Sequence, residues 1–128
     1  MDIITSIIKH CRNDSTLAGI FGARIDRSIP AGETLPAMAV VLISTTRGST
    51  HITNCRVSFV VDALSFTTCE AVRQRLGQLY HDKAGATLTD GQMIERSMGA
   101  DSDGIYRESD DGPWMYQEYY MFTLTDVY

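Results

Sequence analysis

The sequence predicts a single domain of the α+β class, built on a mixed, largely antiparallel sheet of about four to five strands. One domain is expected because 128 residues can form one compact core, which buries roughly two thirds of the surface of the unfolded chain. Both strands and helices are expected because the apolar residues recur with two different periods. The segment from Cys55 to Gln78 shows both of them.

A strand and a helix follow each other in that segment. Alternate residues of 55–63 are apolar, as in a strand with one buried side; they are Cys55, Val57, Phe59, Val61 and Ala63. Ser65 is then suited to cap a helix whose apolar residues recur at three- and four-residue spacing; they are Cys69, Val72, Leu76, Leu79 and Tyr80. We expect the helix to fold back onto the strand and form the centre of the core.

Two helical segments are predicted before the first long strand. Asp2 is placed to cap an amphipathic helix that ends near residues 13–15, where three turn-forming residues meet. Ser15 is placed to cap a second, short helical turn that Gly22 ends. Residues 24–33 are expected to cross the surface as a loop.

The first long strand is expected to open at Leu35-Pro36 and to lie in the centre of the sheet. Residues 38–43 are almost wholly apolar, as in strands that are buried on both faces. A polar turn over residues 44–50, around Gly48, would join this strand to residues 55–63 in an antiparallel hairpin.

The second half of the sheet is predicted from four segments. A short extended piece lies at 87–91 and a strand at 92–98, which residues 99–103 break. Residues 105–107 are expected to form a short hairpin strand before an acidic turn. Residues 114–127 are predicted to form one strand of fourteen residues, much longer than the usual length of about five or six, so part of it is expected to reach another subunit.

Composition restricts the class of protein. With 44% hydrophobic and 21% charged residues, the chain is typical of soluble globular proteins. It has neither an apolar run near the ~20 residues of a membrane span nor a signal peptide, so synthesis in the cytoplasm is the default expectation. The net charge is −5 and the basic residues are scattered, which disfavours nucleic acid as the main partner because phosphate binding needs clustered Lys and Arg.

The sequence offers little chemistry, and we expect neither an enzyme nor a metal or cofactor site. The three cysteines occupy positions where apolar residues are expected, and the three histidines lack metal-site spacing. His10 and Cys11 are not expected to face a common point, because adjacent residues of a helix diverge by about 100°. Residues 101–104 resemble the start of a calcium loop, but the glycine comes too early and the closing Glu is missing.

Aromatic and acidic residues near the end of the chain are instead predicted to form an interface. Stacking on nucleic-acid bases would need a basic groove as well, whereas core packing and a subunit interface both favour Trp and Tyr. The predicted interface residues are Trp114, Tyr116, Tyr119, Asp101, Asp103, Asp110 and Asp111.

Five segments in a particular order carry a family resemblance. They are the leading apolar helix, LAGIFGARI at 17–25, LPAMAVV at 35–41, VSFVVDA at 57–63 running into EAVRQRL at 70–76, and DGPWMYQEYYMFTL at 111–124. In order and spacing they resemble the tail terminator proteins of tailed bacteriophages, which complete the tail and join it to the head. The resemblance spans nearly the whole chain, and its motifs are hydrophobic.

The resemblance implies an antiparallel sheet with two main helices on one face, assembled as a hexameric ring in the virion. In that family the ring sits on the end of the tail tube, stops its polymerisation and presents its other face to head-closure or neck proteins. It implies no catalysis, no cofactor and no membrane partner. Six copies would carry about −30, and a negative channel would let DNA pass without specific binding.

One region departs from the family pattern, and two other classes of protein stay open. Residues 99–113 are longer and more acidic than a plain hairpin, so we expect them to project into the lumen or toward the tube. The first alternative is another neck, head-completion or minor tail protein. The second is a small ligand-binding α/β domain, which would have a pocket with convergent polar groups.

Overall fold

The computed structural model describes residues 3–47, 52–81, 86–88 and 93–125. These ranges form three helices and one six-stranded sheet. The helices are α1 (Ile3–Asn13), α2 (Ser15–Phe21) and α3 (Phe66–Tyr80). The strands are β1 (Ile25–Asp26), β2 (Ala37–Arg47), β3 (Ile52–Ala63), β4 (Ala86–Thr87), β5 (Met93–Tyr106) and β6 (Trp114–Thr125). The predicted α+β class is confirmed.

The strands lie in the order β1-β2-β3-β6-β5-β4. β1 runs parallel to β2 and every other neighbouring pair is antiparallel, so the sheet is mixed. Four strands are long, whereas β1 and β4 have two residues each. β3 and β6 form the central pair and stay in register from Ile52↔Thr125 to Ala63↔Trp114.

The core lies between the sheet and the helices. Every predicted core residue of 55–63 is buried. These alternate residues of β3 point to the face of the sheet that the helices cover. Phe59 packs at the centre, stacked on Tyr80 at 5.5 Å between ring centroids and edge-on to Tyr120 at 5.7 Å. The predicted strand-helix unit is therefore confirmed, including Ser65 as the N-cap of α3.

The N-terminal helices follow the predicted pattern with one correction. α1 buries Ile4, Ile7, Ile8 and Cys11, while the predicted cap Asp2 lies outside the described residues. α2 is capped by Asp14 and not by Ser15, since Asp14 Oδ2 accepts a hydrogen bond from the Leu17 amide at 3.1 Å. Gly22 ends α2 at a φ of +60°, as predicted, a conformation that glycine adopts without strain.

The prediction for β2 was wrong in two respects. β2 is not central: its outer neighbour is β1, which pairs only with Met38 and Ala39. Ala37–Val40 are buried, but Val41, Leu42 and Ile43 are between 37% and 49% exposed. β2 also continues to Arg47, through the predicted turn. The loop prediction for 24–33 fails at its start, because Ile25 is buried in the sheet.

The long C-terminal strands also differ from their predictions. β5 is not broken at 99–103, because three register shifts against β6 absorb the irregular residues and Gly104 adopts a φ of +77°. From Trp114 to Thr125, β6 does not reach past the sheet, since it pairs with β3 on one side and β5 on the other; the last two residues of the predicted strand, 126 and 127, lie outside the described residues. Residues 48–50 of the predicted 44–50 turn, residues 89–91 of the predicted segment 87–91, and the helix-ending Gly85 lie outside the described residues.

Candidate interaction surfaces

Three polar side chains meet inside the helix layer. The Tyr80 hydroxyl lies 2.7 Å from His10 Nδ1 and 3.4 Å from Cys11 Sγ. The expectation that His10 and Cys11 share no common point was therefore wrong. Their side chains do diverge from α1, but the long tyrosine from α3 brings its hydroxyl between them.

This cluster is suited to packing and not to nucleophilic chemistry. Burial raises the pKa of the Cys11 thiol to about 12, so the thiolate that acts as a nucleophile is not formed at neutral pH. Burial also lowers the pKa of His10, which favours the neutral ring. The pKa values of Cys55 and Cys69 are raised by burial to about 12 and about 11. Within the described ranges, no group of three or more His, Cys, Asp or Glu residues is arranged to hold a metal ion.

An ion pair joins α3 to the start of α2. Arg75 Nε lies 3.0 Å from Asp14 Oδ2 and 3.2 Å from Asp14 Oδ1. The hydrogen bonds from Arg75 hold the pKa of Asp14 below its ordinary value. Because Asp14 also caps α2 through Leu17, one carboxylate links two helices and stabilises the layer that covers the sheet.

A second set of side chains faces outward where β3 ends and α3 begins. We call Leu64, Phe66, Arg107 and Trp114 the hairpin-end cluster. Phe66 and Trp114 meet edge to face at 5.4 Å between ring centroids, and the Arg107 guanidinium lies 4.6 Å from the centre of the Trp114 ring. Leu64, Phe66 and Arg107 are exposed and Trp114 is half-buried. Exposed aromatic and arginine side chains in contact are typical of protein interfaces.

The acidic turn between β5 and β6 lies beside this cluster. Asp110 and Asp111 are exposed, and an open groove of about 390 Å³ separates them from Leu64. Its lining is Leu35, Leu64, Arg107, Asp110, Asp111, Gly112 and Pro113. The structure thus brings three of the predicted interface residues, Trp114, Asp110 and Asp111, to one end of the molecule.

The other predicted interface residues lie elsewhere. The Tyr116 side chain is only 1% exposed and donates a hydrogen bond to Glu118 in the core layer, so it offers no surface for a partner. Tyr119 lies on the opposite face of the sheet, where Arg56 stacks at 4.7 Å from its ring centre. The backbones of Asp101 and Asp103 belong to β5, and their side chains lie outside the described part.

Sequence reasoning missed a second surface, the exposed half of β2. We call Val41–Thr46 the β2 edge. Its three apolar residues, Val41, Leu42 and Ile43, are exposed. β1 pairs only with Met38 and Ala39 and ends before reaching them. The polar run Ser44–Arg47 that follows directly was a usable signal, since a strand with a polar half is not buried on both faces along its whole length.

Charge is distributed unevenly over the fold. Residues 99–118 contain six acidic residues and one basic residue, a net of −5, which equals the net charge of the whole chain. Near β1, at the other side of the sheet, the exposed residues include Arg12, Asp26 and Arg27, and Arg12 pairs with Asp26 at 3.7 Å. These three residues carry a net charge of +1, so the acidic charge of the chain is concentrated in residues 99–118.

Comparison with known proteins adds a fold likeness. No family model matches the chain, and no curated protein matches it. Among solved structures, it is similar to a chain of the structure described as "Virion of native gene transfer agent (GTA) particle", with a TM-score of 0.63 and 15% sequence identity. The match covers 96% of this chain and 94% of that one. At this identity the likeness shows a shared fold that extends over both chains.

In the described ranges, none of the three helices combines the length and the apolar character that crossing a membrane requires.

Proposed function

We propose that this chain is a structural component of a phage-like virion, and more specifically a tail terminator subunit that assembles as a hexameric ring. The observation that carries the proposal is the fold likeness to a virion chain over nearly the full length of both chains. Fold alone does not imply function. The order of sequence segments from the leading helix to residues 111–124 supports the same conclusion independently.

The surfaces of the subunit suit such a role. A ring built head to tail needs two different, complementary surfaces on each subunit, and the acidic residues of this chain are concentrated in residues 99–118, at one side of the sheet. The hairpin-end cluster supplies Trp114, Phe66 and Arg107, residue types that dominate binding energy at interfaces. We assign this cluster to contact with the tail tube protein or the head-closure proteins.

The role we propose is assembly without catalysis or a cofactor. A ring of six subunits would carry about −30, so DNA would pass through the lumen without specific binding because like charges repel. The protein would be made in the host cytoplasm and act in the virion.

Native mass spectrometry with negative-stain imaging of the concentrated protein tests the proposal. We expect a six-membered ring with a central hole, and binding of the protein to the ends of isolated tail tubes. A monomer that also fails to bind tube ends would contradict the tail terminator role.

Another neck or head-completion protein is the second candidate, because the matched chain is described only as part of a virion. Binding to portal or adaptor proteins in place of tail-tube ends would favour this candidate.

A further inference from the structure

β2 and β5 are the outermost of the four long strands, and a short strand covers one end of each. β1 pairs with Met38 and Ala39 of β2, and β4 pairs with Met93 and Ile94 of β5. Among the described residues, the rest of each strand has no outer neighbour in the sheet. The sheet therefore has two open edges, the β2 edge (Val41–Thr46) and residues 96–101 of β5.

The strand register places these two open edges at the same level. Val41 pairs with Ser58, which pairs with Tyr119, which pairs with Asp101. At the other limit, Thr46 is connected in the same way, through Asn54 and Thr123, to Arg96. The β2 edge and residues 96–101 therefore lie at the same height along the strands, on opposite edges of the sheet.

The strand directions are compatible with joining the two edges. Three antiparallel pairings separate β2 from β5, so the two strands run in opposite directions. A second copy rotated about an axis along the strands would bring its β5 beside β2 as an antiparallel neighbour. The second copy does not have to be translated along the axis for the two edges to meet. A closed ring allows no such translation, because its subunits are related by rotation alone.

The side chains of the β2 edge also favour a covered position. Natural proteins protect open edges with charged residues, but Val41–Thr46 contains no charged residue and exposes three apolar ones in a row. In this arrangement the acidic segment 99–118 approaches the side of the neighbouring copy that carries Arg12, Asp26 and Arg27. The net charge of these three residues is +1, opposite in sign to that of the segment, and favours the same orientation.

Each edge also contains a register shift, and both shifts lie toward the end that Val41 and Asp101 mark. One lies between Leu42 and Ser44 and the other between Gly99 and Asp101. Bulges bend a strand and increase its twist, and a sheet that continues around a ring must curve.

We propose that the β2 edge of one copy pairs with residues 96–101 of β5 in the next, so that the sheets of all subunits join into one continuous sheet around the ring. The copy number of six rests on the proposed function, whereas the pairing of the two edges does not.

Paired cysteines test the contact directly. With Thr46→Cys and Arg96→Cys in one chain, we expect oxidation to give a ladder of disulfide-linked species that ends at the hexamer on a non-reducing gel. Each single variant should stay mainly monomeric on the gel. The background should be low because Cys11, Cys55 and Cys69 are all buried.

A charged edge provides the second test. Leu42→Lys should abolish the ring in native mass spectrometry without changing the melting temperature of the monomer. Met121→Lys is the matched control, since Met121 is 39% exposed and Leu42 is 41% exposed, but Met121 lies on the central strand β6. The control should leave the ring intact.

The outcomes separate the edge pairing from the proposed function. Rings that form normally in Leu42→Lys, with no ladder from the cysteine pair, would overturn the edge pairing and leave the tail terminator role standing. A ladder that grows into open chains would support the edge pairing and contradict the closed ring. Absence of both the ladder and any oligomer would overturn the edge pairing, and the binding of the intact protein to tail-tube ends would then decide the function separately.

Discussion

The helix layer and the hairpin-end cluster contain the same kinds of side chain in different surroundings. In the helix layer, Tyr80 is buried and Arg75 is hydrogen-bonded to Asp14. At the hairpin end, Trp114 is half-buried, while Arg107 and Asp110 are exposed. An aromatic ring, an arginine and a carboxylate therefore stabilise the fold in one place and remain available to a partner in the other. Burial, and not residue type, separates the two roles.

Truncating the aromatic residue of each region should give the largest difference. We expect Tyr80→Ala to lower the free energy of unfolding by about 3 to 5 kcal/mol, because it leaves a cavity in the core. Trp114→Ala should cost about 1 to 2 kcal/mol, since its ring is already partly in water. Urea denaturation measures both, and equal losses would contradict the distinction between the two regions.

Removing Arg75 should have the next largest effect. Arg75→Met leaves the Asp14 carboxylate, whose side chain is 9% exposed, without its charged donor, and should cost about 2 kcal/mol. Arg73→Met is the matched control, because Arg73 pairs with Glu70 at 3.1 Å on the exposed side of the same helix. The control should cost less than about 0.5 kcal/mol. Similar losses in both variants would show that the Asp14 pair is no more important than a surface pair.

The contribution of Arg75 should also depend on pH. Its hydrogen bonds lower the pKa of Asp14 in the folded state, so the stabilisation is complete above the unfolded pKa of about 3.9 and is lost as the pH falls through the folded value. The stability gap between the unmodified protein and Arg75→Met should therefore be widest near neutral pH and shrink below about pH 4. Denaturation curves across this range check it, and a gap that is constant down to pH 2 would contradict it.

Neutralising the acidic turn should have the smallest effect on folding. Asp110→Asn and Asp111→Asn should each change stability by less than about 0.5 kcal/mol, because both side chains are exposed. Assembly or DNA passage should nevertheless be impaired, and more so when Asp101→Asn and Asp103→Asn are added. Normal infectious particles from the fourfold variant would refute a role for this segment.

For the surfaces, the sequence was informative about composition but not about placement. It singled out Trp114, Asp110 and Asp111, which the fold does bring to one end of the molecule. It also singled out Tyr116, which the fold buries, because alternation along β6 shows that residues share a face but not which face is covered. Their part in an interface stays a prediction.

For the fold, the sequence by itself determined the units whose signal is local. The alternation over 55–63, the capping serine at 65 and the helical spacing that follows all lie within a few turns of chain, and these elements formed as predicted. Only the tertiary structure decided that Val41–Ile43 are exposed, that β5 continues through its bulges and that Tyr80 meets both His10 and Cys11. These features depend on which segment lies beside a residue in space, and that neighbour comes from a distant part of the chain.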